Sequence, residues 1–135
     1  MSLDSQNLAY AITQIAHNFG AVTVVGGAAV ALVWREAAVQ RKLAWMVLAG
    51  WLIQAVSGAT FGAISYYFYA KFPDIHSIAL VALKVKIVCA ALGFFLAAWQ
   101  LKAQPSEVLR RYVWMALCGL GVLALSSAAI LRWFS

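Results

Sequence analysis

Ile78-Ala-Leu-Val-Ala-Leu-Lys-Val-Lys-Ile-Val-Cys-Ala-Ala-Leu-Gly-Phe-Phe-Leu96 is apolar except for two lysines, Lys84 and Lys86. A helix of this length covers about 28 Å at ~1.5 Å per residue, and with its flanks it crosses ~30 Å of hydrocarbon. An ammonium at membrane depth costs about 3 kcal/mol or more, so ionisable groups in spans face a protein interior, a watery cavity or a ligand. The run therefore reads as a membrane-spanning helix, and its two cations call for a partner.

Working outward, three further stretches have the same character, giving spans at about Ala9 to Trp34, Leu43 to Tyr69, Ile78 to Leu101 and Tyr112 to Trp133. The chain of 135 residues is 65% hydrophobic and 10% charged, with a mean hydropathy of +0.87. That composition belongs to an integral membrane protein. Residues 1–135 are expected to form one all-α transmembrane domain. Pro73 breaks the chain after the second span, and Pro105 with Ser106 as N-cap marks the turn into the fourth. Short connections between long antiparallel helices favour an up-down-up-down four-helix bundle. No basic residue precedes the first apolar run, so that run is expected to stay in the mature protein rather than be cleaved as a signal peptide.

The net charge of +6 does not indicate a nucleic-acid partner, because the cations flank spans instead of forming a basic face. Arg35, Arg41, Lys42, Lys102, Arg110 and Arg111 lie on one side of the membrane, against Lys71 and Arg132 on the other. The positive-inside rule places both basic connections in the cytoplasm and both termini outside the cell's inner (plasma) membrane. Tyr66, Tyr67, Tyr69 and Phe72 at the outer end, and Trp34, Trp45, Trp99 and Trp114 at the inner end, read as interfacial belts. Cys89 and Cys118 fall in different spans at different depths, and no disulfide is expected between them.

The candidate site is a polar layer shared by three spans. Thr13, His17, Gly20, Thr23 and Gly27 recur at steps of three and four, which keeps them on one helical face. The small residues serve either close helix packing or a shallow groove for a flat ligand beside His17. Counting ~1.5 Å per residue from the outer boundary, His17 and Lys86 both lie about 12 Å deep and Lys84 about 9 Å. Gln54 reaches a similar level from the second span, with Ser57 and Thr60 above it. Lysines two apart on a helix point ~200° apart, so one faces the bundle; Lys84, nearer the surface, can snorkel, which leaves Lys86 as the inward one. His17 is either helix glue, bonded to Gln54, a serine or a carbonyl, or a ligand and proton carrier. His76, in the outer connection, reads as a solvated residue or a metal or haem contact. Asp4, Glu36, Asp74 and Glu107 all lie outside the spans, which argues against a carboxylate-based ion pump and leaves Lys86 without a counter-ion. A bound anion would supply one, a porphyrin propionate or a quinone oxygen, and a deprotonated lysine is the alternative.

His17-Asn-Phe-Gly-Ala-Val-Thr-Val-Val-Gly-Gly27, with its histidine ahead of a Val-Val-Gly-Gly element, resembles the first helix of the CopD-type superfamily of small membrane proteins. Leu83-Lys-Val-Lys-Ile-Val-Cys-Ala-Ala-Leu92 is similar to the lysine-bearing helix of that superfamily and of its HemJ-type protoporphyrinogen oxidases, and the basic Arg110-Arg111 pair leads into the last span as it does there. The resemblance implies a four-helix bundle, haem b as cofactor, and His17 and Lys86 as the matching histidine and lysine. The chain departs from the HemJ-type pattern in two places: no histidine stands near the end of its third span, and no Asn-Glu-x-Pro-Thr element follows Arg110-Arg111.

Together these readings give a membrane-embedded haem- or porphyrin-binding redox protein. His17 is the expected metal ligand, Lys86 the catalytic group or second ligand, and Gly20 and Gln54 line the cofactor site. The alternatives are a non-catalytic accessory subunit of a respiratory or photosynthetic complex, and a copper-handling protein. The three methionines are scattered and offer copper no ladder of soft ligands. Expected partners are the lipid bilayer and either further copies of the chain or a larger membrane complex.

Overall fold

A computed structural model describes residues 2–71 and 75–134, so Phe72, Pro73 and Asp74 lie outside the described residues. Four α-helices account for nearly all of them: α1 (Ser2–Val33), α2 (Ala37–Tyr69), α3 (Ser77–Ala103) and α4 (Glu107–Phe134). All four are long and apolar enough to cross a membrane, and the chain is an all-α, multi-pass membrane protein. Helix is the form a single span must take, because hydrocarbon offers backbone N–H and C=O groups no other partner.

The helices run past the apolar stretches. α2 begins at Ala37 and α4 at Glu107, so Arg41, Lys42, Arg110 and Arg111 sit on helix ends, and the two connections at this end of the bundle shrink to Trp34 to Glu36 and Gln104 to Ser106. Continuing the helix into the headgroup region keeps backbone hydrogen bonds made while long cationic side chains reach water. Ser106 precedes α4 at the N-cap position, and its carbonyl accepts the Arg110 N–H at 2.8 Å. Ala70 and Gln104 end α2 and α3 in the left-handed conformation, with φ of 53° and 45°. Each donates its N–H to the carbonyl four residues back.

The bundle is a closed ring: α1 packs on α2 and α4, and α3 packs on α2 and α4. Glycines set the distances in three of the four seams. A Cβ on Gly20 would come within 2.9 Å of the Ile53 side chain and 3.3 Å of the Gly50 carbonyl, so α1 and α2 nearly touch there. A Cβ on Gly93 would lie 2.2 Å from the Trp51 ring, which lies against α3 at that point. Gly121 brings α4 against Val24 and Val25 of α1. The core between these contacts is built of Val24, Val47, Trp51, Trp114 and Leu117.

Trp114 corrects one expectation. Trp34, Trp45 and Trp99 are exposed at the end of the bundle that carries the α1–α2 and α3–α4 connections, as belt residues should be, but Trp114 is fully buried in the core. Position along a helix sets depth, whereas face sets burial. Trp114 shares a face with Leu117, Gly121 and Ala124, all buried, and Tyr112, about 200° away, takes the exposed interfacial position. Among the described residues neither Trp114 Nε1 nor Trp51 Nε1 has a hydrogen-bond partner, so both rings contribute volume rather than polar anchoring. Both cysteines are free thiols.

Candidate functional site

His17 lies on the buried stripe of α1, which runs through Thr13, His17, Gly20, Val24 and Gly27. Only 9% of its surface is exposed. Its ring has two polar contacts. Nδ1 lies 2.6 Å from Ser57 Oγ on α2, and Nε2 lies 2.8 Å from Lys86 Nζ on α3. Helices α1 and α3 stand on opposite corners of the ring, so the lysine reaches His17 through the bundle interior.

The direction of these hydrogen bonds follows from the end of the chain. Ser57 Oγ donates its single proton to the Ile53 carbonyl at 2.5 Å, so toward His17 it must accept. His17 Nδ1 therefore carries the proton and donates it to Ser57, which leaves Nε2 with its lone pair facing Lys86. Lys86 donates to that lone pair. The order is Lys86 Nζ–H to His17 Nε2, His17 Nδ1–H to Ser57 Oγ, and Ser57 Oγ–H to the Ile53 carbonyl. A backbone carbonyl cannot carry a proton onward, so the array can exchange a proton between Lys86 and His17 but cannot conduct one across the membrane.

Neighbouring groups fix the imidazole. Gln54 Nε2 donates to the His17 carbonyl at 2.5 Å, holding α2 to α1 from the backbone side. Phe61 meets the imidazole edge-on, with ring centroids 5.6 Å apart, and Tyr10 stacks on Phe61 in turn. Gln54, Ser57 and Phe61 recur at steps of three and four on α2, a spacing that marks one face. Polar ties above and below complete the α1/α2 seam. Gln6 Nε2 donates to the Tyr69 hydroxyl at 2.6 Å, and Gln40 Nε2 donates to the Ala31 carbonyl at 2.7 Å.

Of the residues singled out in the sequence, the structure brings together His17, Lys86, Gln54 and Ser57. Lys86 is half-buried and Lys84 is exposed. The Gly20 face is occupied by Gly50, Ile53 and Gln54 of α2, which is close helix packing. Thr13, Thr23 and Thr60 turn their hydroxyls to carbonyls of their own helices. His76 stands at the N-cap of α3, at the α2–α3 end of the bundle, whereas the His17 ring meets Ser57, Lys86 and Phe61. Phe61 and Tyr10 were not anticipated; the step of four from Ser57 to Phe61 was the available signal. Among the described residues no cluster of three His, Cys, Asp or Glu is placed to hold a metal ion.

No family model, curated protein or solved structure matches this chain.

Proposed function

We propose that this chain is a membrane-embedded redox protein that receives a porphyrin-type ring at Lys86 and exchanges a proton with it through the His17–Lys86 pair. The observation that supports this reading is the 2.8 Å contact between Lys86 Nζ and His17 Nε2 across the bundle. A cation held there, with Asp4 and Glu107 only in the first turns of α1 and α4 and no carboxylate partner for Lys86 among the described residues, is suited to an anionic ligand that enters from the bilayer, and a propionate-bearing ring is one. Lys86 binds and orients the ligand's carboxylate. His17 holds or releases a proton at Nε2, with Ser57 accepting from Nδ1 and steadying either charge state. The tetrapyrrole supplies the redox chemistry when bound.

Haem b fits the present arrangement less directly than a ring without an iron ligand. Ser57 occupies Nδ1 and Lys86 occupies Nε2, so His17 offers iron no open nitrogen until Lys86 withdraws. The detergent-purified protein is expected to show a Soret band that His17→Ala diminishes. A pyridine-haemochrome assay on the same sample separates iron-bearing from metal-free rings. A colourless preparation from cells replete in haem and porphyrin overturns the reading.

One observation favours a second reading, an accessory subunit. Gly58 and Gly62 lie one turn apart on α2 with open space around them, the small-xxx-small form that helix–helix contacts in membranes use. On that reading the chain co-purifies with a defined larger membrane complex in mild detergent, and His17→Ala leaves the complex intact.

A further inference from the structure

At the end of the bundle opposite the His17 layer, a cavity of about 470 Å³ opens between the α1–α2 connection and the start of α4. Its polar lining is Arg35, Arg111, Glu107, Gln40 and the hydroxyl-bearing Tyr112, and Leu32 and Met115 are among its apolar residues. We propose that this cavity is a binding site for one phospholipid of the phosphatidylglycerol type, which carries a single phosphodiester and a hydroxyl-bearing headgroup.

The charges match that ligand. Two guanidiniums and one carboxylate leave the cavity with one net positive charge, which one phosphodiester neutralises. Among the described residues neither arginine is engaged in an ion pair or side-chain hydrogen bond, so both forks are available to phosphate oxygens. The cavity also includes the first residues of α4, a helix of 28 residues, whose N-terminal N–H groups add positive potential on the same side.

Net charge and acceptors select the headgroup. Gln40 is 6% exposed, its Nε2 is committed to the Ala31 carbonyl, and its buried Oε1 has no partner among the described residues. Gln40 and the Glu107 carboxylate line the cavity with the arginines and offer acceptors to headgroup hydroxyls, while the net positive charge favours an anionic lipid over net-neutral phosphatidylcholine.

Location selects a lipid over a free anion. The cavity combines charged side chains with apolar ones from α1 and α4, and the exposed Trp34 precedes Arg35 in the chain. Basic pockets at the ends of transmembrane helices are recognised seats for anionic headgroups.

The test uses the full chain, delipidated in neutral detergent, with thermal unfolding followed after adding phosphatidylglycerol, phosphatidylcholine, cardiolipin or inorganic phosphate. Phosphatidylglycerol is expected to raise the unfolding midpoint above phosphatidylcholine of the same acyl chains, with cardiolipin no better per phosphate and inorganic phosphate without effect. Arg35→Gln and Arg111→Gln should each weaken the lipid about fivefold. The double variant should keep its midpoint in phosphatidylcholine while losing the phosphatidylglycerol increment. Native mass spectrometry of the wild type in mixed micelles should show phosphatidylglycerol enriched in the one-lipid adduct, a readout that does not depend on the variants folding. Equal stabilisation by phosphatidylcholine, an increment retained in R35Q/R111Q, or inorganic phosphate reproducing the effect would each overturn the proposal.

Discussion

Lys86 and Lys84 differ by two positions and by everything that matters to the site. One donates to His17 Nε2 inside the bundle, and the other is exposed on the far side of the same helix turn. Lys86→Met is therefore expected to weaken ring retention about ten- to hundredfold, the worth of a charge-assisted hydrogen bond, while Lys84→Met is nearly neutral. Removing Lys86 also removes the cost of burying a cation, so its unfolding midpoint should stay near that of the wild type even as binding is lost. If the two substitutions behave alike in a porphyrin-retention assay, the polar layer is helix glue. Ser57 tests the other half of the array. Ser57→Ala leaves His17 Nδ1 buried without its partner, at a cost of about 1–3 kcal/mol in equilibrium unfolding; an unchanged midpoint would mean that the His17–Ser57 contact does not hold the imidazole. The pairing of His17 with Lys86 was legible in the sequence because depth on a membrane helix is a count of residues. Ser57 as the ring partner was not, since Gln54, Ser57 and Thr60 share that region and only the rotation of α2 decides among them.

Seams between helices are where glycine placement becomes energetic. Gly93 faces the Trp51 ring so closely that Gly93→Ala must displace an indole or push α3 outward, an overpacking cost of about 1–3 kcal/mol. Gly58→Ala and Gly62→Ala meet nothing within 4 Å and should leave the unfolding midpoint unchanged. Those two lipid-facing substitutions still bear on function, because under the accessory-subunit reading they weaken assembly with no effect on the chain itself. Differential unfolding of the three variants in one detergent checks the contrast. A sequence of apolar residues on all sides marks a span without marking its inward face, which is why Trp114 was placed at the interface. In a soluble helix polar residues label the outer face; here Leu123, Leu125 and Val122 are exposed beside a buried Ala124, and hydrophobicity does not separate them.

At the scale of the whole molecule, four spans follow from composition and length, and the ring arrangement follows from short connections that force each helix to return beside the last. Orientation across the membrane rests on charge alone. Six cations flank the α1–α2 and α3–α4 connections, at Arg35, Arg41, Lys42, Lys102, Arg110 and Arg111, against Lys71 and Arg132 at the opposite end. A reporter fused after the C-terminal residue should accordingly read as external, and one inserted between Trp34 and Arg41 as cytoplasmic. The prediction couples both proposed sites. With this sidedness the arginine-lined cavity faces the cytoplasmic leaflet, and the His17–Lys86 pair lies nearer the external face. The opposite reporter pattern would exchange their leaflets but would preserve the pairing, because α1 and α3 run in the same direction and invert together. Sidedness therefore decides which compartment lies nearer the His17–Lys86 pair, and so which would supply a proton under the proposed function, while the 2.8 Å contact itself is indifferent to it.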